Sequence, residues 1–214
     1  MTTEEIKTKR HSTKSADRNR AAKEIGKLKL THFADDLYQA YLKETKDKRT
    51  WETQVEMILD LGLLDYKNAL TEIDTIIKAN NPYDMITYAA AQTYVRLKRK
   101  SLNDASPVLE LLQFGGLSTV DGCLNPLGYD KMQPDENQIK ELIKLSWDLH
   151  KHKDRLGHEG RYREPRYGLA ATCAGWDRQL TNDFLEHCLA TADRDTPLKY
   201  VSENSLKGEY VKLR

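Results

Sequence analysis

No run of eighteen apolar residues occurs anywhere in the chain, so the sequence holds nothing that reads as a membrane-spanning helix. Cysteine is scarce too: Cys123, Cys173 and Cys188 are odd in number, widely spaced and without a CxxC pair. That spacing argues against a disulfide framework and for a reducing compartment. Glycine and proline number only 11 and 6 in 214 residues, fewer than the turns of an all-β domain demand. Nor is there an excess of one charge. A net charge of +1 and a pI near 7.7 give no overall field to draw the chain to nucleic acid or to an acidic membrane. There is no phosphate-binding GxxxxGK[ST] loop, no GxGxxG and no GxSxG, so nucleotide binding and serine-type nucleophilic catalysis have no motif to rest on. The opening MTTEEIKTKRHSTKS lacks the apolar core of a signal peptide, and the expected location is cytoplasmic.

What is present is helical periodicity. Across residues 52–97 the apolar positions fall on single faces of three successive runs. Val55, Ile58, Leu59 and Gly62 mark the first, Ala69, Leu70, Ile73, Ile76 and Ile77 the second, and Ile86, Ala89, Ala90, Thr93 and Leu97 the third. A helix greasy on one flank has nothing to pack against alone, so the pattern predicts neighbours stacked side by side. Helix starts are marked by Asn81-Pro82, Ser106-Pro107 and Thr196-Pro197, and by Asp135 with Gln138 as a capping box. Helix ends are marked by Gly26, by Gly62 36 residues later, and by Gly175, each placed where a left-handed C-cap suits glycine.

These segments, EIGKLKL, DLGLLDY and TCAGWDR, with the later DTPLKYV, resemble the HEAT-like α-helical repeats of the armadillo/HEAT class. The resemblance implies an all-α, right-handed α–α superhelix of about four to five helix pairs, at roughly 30 to 45 residues per repeat. The units expected are residues 17–46, 51–80, 82–114, a divergent 138–156 and 165–190, with a last helix from Pro197. Residues 1–14 read as a flexible basic arm, and 15–214 as one repeat domain with a loop insertion near 114–134. That insertion has four glycines and a proline in sixteen residues, but its Leu117, Val120, Leu124 and Leu127 favour packing on the array.

Function is less legible. Residues 7–29 hold nine basic and two acidic side chains, a local +7 that reads as a solvated face or as a patch for phosphate or an acidic protein. His150, His152 and His158 cluster without the spacing of a metal site, so no metal and no cofactor is expected. Of the enzymes that resemble HEAT arrays, the deoxyhypusine hydroxylases imply several His-Glu pairs. This chain has one, His158-Glu159. The HEAT-like DNA glycosylases imply a basic protein with an Asp among aromatics. Asp177 beside Trp176, Arg166 and Arg178 matches in residue type, the neutral pI does not. Cys173 and Cys188 read as core thiols. The reading that follows is a non-enzymatic, protein-binding scaffold, adaptor or immunity/inhibitor-type protein. Its expected anchors are Arg161, Tyr162, Arg163, Arg166, Tyr167, Trp176 and Arg178, residue types that dominate binding hot spots. The alternative is a nucleic-acid-binding array related to the repair glycosylases.

Overall fold

The computed structural model describes residues 1–156, 164–192 and 196–211. Among them all regular structure is helical: α1 (Thr3–Lys9), α2 (Ser15–Lys27), α3 (Ala34–Glu44), α4 (Trp51–Leu63), α5 (Leu70–Ala79), α6 (Met85–Lys98), α7 (Ser106–Phe114), α8 (Leu117–Tyr129), α9 (Glu136–Ser146), α10 (Lys153–Leu156), α11 (Tyr167–Thr172), α12 (Arg178–Thr191) and α13 (Pro197–Leu206). None of the described helices is long and apolar enough to cross a membrane.

The helices pack in an alternating order. α2 lies against α4, α4 against α6, α6 against α8, α8 against α11 and α11 against α13, forming a ladder. α3, α5 and α7 each pack on the next ladder helix, while α9 touches α7 and α12, and α12 packs on α13. Polar ties between rungs recur at similar sequence separations. Thr93 Oγ1 donates to the Ile58 carbonyl at 2.7 Å, Arg96 to Asp130, and Ser205 Oγ to the Ala170 carbonyl at 2.7 Å, separations of 35, 34 and 35 residues. The apolar core follows the same line. Ile25, Ile58, Leu61, Val95, Leu124 and Leu169 are all at most 1% exposed, and each such side chain contributes about 1.5–3 kcal/mol by leaving water.

Helix ends repeat one device. Lys29, Asp65, Lys131 and Gly208 have φ of 49°, 53°, 52° and 78°. The residue after each closes a Schellman turn onto the helix, as in Leu30 N–H to Ile25 O at 3.0 Å and Tyr66 N–H to Leu61 O at 3.0 Å. Gly26, Gly62 and Gly175 are the expected left-handed caps, but none of the three has a positive φ. Gly26 and Gly62 stand inside α2 and α4, three residues before the left-handed position. What requires glycine there is close approach of the rungs. A Cβ at Gly26 would land on the Asp60 carboxylate, and one at Gly62 would sit 2.8 Å from Thr93 Oγ1 and 3.1 Å from Thr93 Cα.

The same cause corrects the reading of residues 114–134. Residues 117–129 are not a loop insertion but a helix, α8, at the centre of the ladder. Gly122 meets the Tyr88 carbonyl of α6, a contact that any side chain would obstruct. Leu124 and Leu127 are fully buried. Residues 1–14 likewise differ from a flexible arm. α1 is closed by a Thr2–Glu5 capping box, Ile6 is fully buried, and Arg10 pairs with Asp36 while its guanidinium lies 4.7 Å from the Phe33 ring centroid. At Asn81-Pro82 the helix starts later than expected, at Met85, because Asp84 supplies the cap to Ile86 and Thr87 N–H and Tyr83 has φ 56°. Pro107 and Pro197 do stand in the first turn of α7 and α13.

Candidate functional site: a charged seam across the ladder

The expected anchor residues do not share one surface. Arg161, Tyr162 and Arg163 lie outside the described residues, as does His158. Arg166 is wholly buried. Its Nε and Nη2 donate to both carboxylate oxygens of Glu164, at 2.9 and 3.0 Å, and its Nη1 to Thr191 Oγ1 at 2.7 Å. Burial would raise the Glu164 carboxyl, but the paired guanidinium holds it below its usual range. Trp176 is buried with its indole N–H donating to Met132 O at 3.0 Å, so both side chains serve cohesion of the array. Tyr167 is half-buried at the start of α11, and Arg178 is exposed in the first turn of α12. Asp177 caps α12 by accepting from Gln179 N–H at 2.9 Å, so Trp176, Asp177 and Arg178 point to three different tasks rather than into one pocket.

The thiols are interior. Burial pushes Cys188 up to about 12 and raises Cys123 and Cys173 as well, which leaves them protonated and poorly nucleophilic. His187 stacks on Trp147 with ring centroids 4.4 Å apart, and His150 sits 6.2 Å from it, held below its ordinary pKa by burial and by Arg166. Among the described residues no group of three or more His, Cys, Asp or Glu could hold a metal ion.

What the ladder does bring together is a row of charges that runs from the second half of α2 and α4 to the C-terminal ends of α6 and α8. Lys23 Nζ lies 3.7 Å from Glu56 Oε2. One turn along α4, Asp60 is 3% exposed, its Oδ1 packed over Gly26 and its Oδ2 without a hydrogen-bond partner. Burial, and then the Glu56 charge, push Asp60 up to about 8 against the opposing pull of Arg96 and Lys23. Arg96, 5% exposed on α6, forks onto Asp130 at the end of α8 with Nε–Oδ2 3.0 Å and Nη2–Oδ1 3.1 Å. Arg99 Nη1 adds a second cation to the same carboxylate at 2.7 Å. Burial alone would raise Asp130, yet the two guanidinium groups hold it below its usual range. The Arg96 guanidinium also lies 5.7 Å from the Tyr129 ring centroid.

This seam opens at its lower end into a cleft of about 540 Å³ where the C-terminal ends of α4, α6 and α8 converge. Lys29, Leu63, Arg99, Lys100, Leu102 and Tyr129 are among its walls. Sequence reasoning passed over Asp60 and Arg96. The signal was available: each is a charge set into an otherwise apolar or small-residue helical stretch, ILDLGLL and TYVRLK. The arrangement offers fixed charges, one buried acid and an aromatic lip. Asp60 itself has almost no access from solvent. No protein-family model matches this chain, and neither a curated protein nor a solved structure shows significant similarity to it.

Proposed function

We propose that the chain is a HEAT-like superhelical array that acts as a non-enzymatic protein-binding scaffold, adaptor or immunity/inhibitor-type protein, in the cytoplasm. The observation that carries this reading is the alternating contact order of the helices, in which rung follows rung along the sequence. The ladder rungs meet at Gly26, Gly62 and Gly122, closer than side chains would allow. Three buried, unpaired thiols suit a reducing compartment.

Nucleic-acid binding through the basic N-terminal stretch is less well supported. Lys7, Arg10, Arg18 and Lys23 already face Glu4, Asp36, Glu44 and Glu56, which cancels much of the local excess. The test is affinity purification of the tagged full chain from its native cells, with amine-reactive cross-linking and mass spectrometry. The expected result is a stoichiometric protein partner whose cross-links map to Lys23, Lys27, Lys29 and Lys100 on the ladder side. Recovery of the chain alone, or of nucleic acid in place of protein, would overturn the proposal.

A further inference from the structure

We infer that the cleft at the C-terminal ends of α4, α6 and α8 is a docking site for acidic side chains of a partner protein, with Lys29, Arg99 and Lys100 as cationic rim and Leu63, Leu102 and Tyr129 as apolar wall. The inference rests on the protein-binding reading and gives that partner a chemistry.

Some cations around the cleft are already in use. Lys67 donates to the Leu97 carbonyl at the end of α6 and pairs with Asp65 at 2.7 Å. The ends of α2, α4 and α8 are closed by their own Schellman turns. The helix termini, whose partial negative charge would otherwise account for nearby cations, are therefore served without Lys29, Arg99 or Lys100. Asp130 is saturated by the Arg96 fork and by a single N–H of Arg99. Among the described residues the other guanidinium N–H groups of Arg99 have no acceptor, Lys29 has no ion pair, and Lys100 feels the charge of Asp104 without an ion pair to it. Three cations with spare donors thus surround a cleft whose own acids, Asp65 and Asp130, are paired with Lys67, Arg96 and Arg99. A charge-assisted bond from each is the interaction they are arranged to make.

The wall selects the class of partner. Tyr129 is 63% exposed and Leu102 47% exposed, directly beside these cations. Aromatic and aliphatic side chains around a charged centre exclude water when a protein surface covers them, and strengthen the ion pairs inside.

The experiment titrates the isotope-labelled full chain with hexaglutamate at low salt and follows backbone amide shifts by NMR, with inorganic phosphate and a short single-stranded DNA in parallel. Shifts concentrated at Lys29, Leu63, Arg99, Lys100, Leu102 and Tyr129 are expected. The Lys29→Gln/Lys100→Gln double variant, altering two exposed side chains, is expected to weaken the peptide at least about tenfold, and Lys100→Arg to retain binding. Shifts centred on residues 7–20, unchanged affinity in the double variant, or tighter binding of phosphate or DNA at the same residues would each overturn the inference. The two readings separate cleanly. A cellular partner that cross-links to the ladder but ignores the double variant removes the cleft and keeps the scaffold. Peptide binding at the cleft without any cellular protein partner does the reverse.

Discussion

Replacing Asp60 by asparagine should make the protein more stable at neutral pH. In the folded chain the carboxyl is 3% exposed with one oxygen unpartnered, and its pKa stands at about 8. An unfolded chain returns it to about 3.9. The folded state therefore binds the extra proton between these values, so stability contributed by this group falls as pH rises from about 4 to about 8. At pH 7 the cost is about three pKa units, or about 4 kcal/mol. At pH 5 it is about 1.5 kcal/mol. Asparagine keeps the shape and carries no charge, but its amide inherits the missing partner and takes back about 1–2 kcal/mol. The net expectation is a gain of about 2 kcal/mol at pH 7 and close to zero at pH 5. For a chain of this length that corresponds to a Tm rise of about 4–8 °C at pH 7. Urea titrations of both proteins at pH 5, 6, 7 and 8.5, monitored by helical circular dichroism, would measure the difference. Parallel stability profiles across that range, or an asparagine variant weaker than wild type at pH 7, would refute the reasoning. They would mean that Asp60 is ionised in the fold, with Arg96 as its counter-ion.

Three further substitutions probe the architecture. Gly122→Ala should lower stability by about 1–3 kcal/mol, because its methyl group meets the Tyr88 carbonyl and the Ala91 Cβ at 2.8 Å; a neutral effect on the urea midpoint would show that α6 and α8 are not in contact there. Arg166→Ala leaves Glu164 half-buried beside an empty site and should cost about 3–5 kcal/mol, whereas a surface anchor would show little loss of thermal stability. Ile6→Ala should cost about 2–4 kcal/mol, and an unchanged melting curve would mean that α1 does not dock on α2.

The helical class was legible because it depends on local signals. The apolar faces of residues 52–97 return as α4, α5 and α6, with Ile58, Ile73 and Ala90 all fully buried as their periodicity required. Asp135 caps α9 through Gln138 N–H, as the pairing of those two residues suggested, although the Gln138 side chain turns to Ala105 N–H instead of closing the box. Glycine misled for a reason that no local rule contains. Gly26, Gly62 and Gly122 answer to a helix some 31 to 34 residues away, so their meaning is tertiary, and the same ambiguity made α8 read as a loop. Arg166 and Trp176 were chosen for residue type, which cannot distinguish a side chain turned inward onto Glu164 or Met132 from one turned out to a partner. Only Arg178 among the described anchors is freely exposed.

Asp60 joins these strands. A protein selected for stability alone would place an apolar or neutral residue at a rung contact as tight as the one with Gly26, since an uncompensated buried acid is among the more damaging features a core can hold. Its neighbours do not neutralise it: Arg96, the cation best placed to do so, spends both of its forked donors on Asp130. The seam thus leaves an acid short of a counter-charge at the centre of the ladder, and cations with spare donors at its lower end. The acid stands two residues before Gly62 on the cleft wall, so carboxylates bound at the Arg99 and Lys100 end would add negative charge near Asp60 and raise its pKa further. Hexaglutamate binding measured at pH 8 in buffers of different ionisation enthalpy should therefore show net proton uptake in wild type and none in Asp60→Asn. Equal proton exchange by the two proteins would disconnect the buried acid from the cleft.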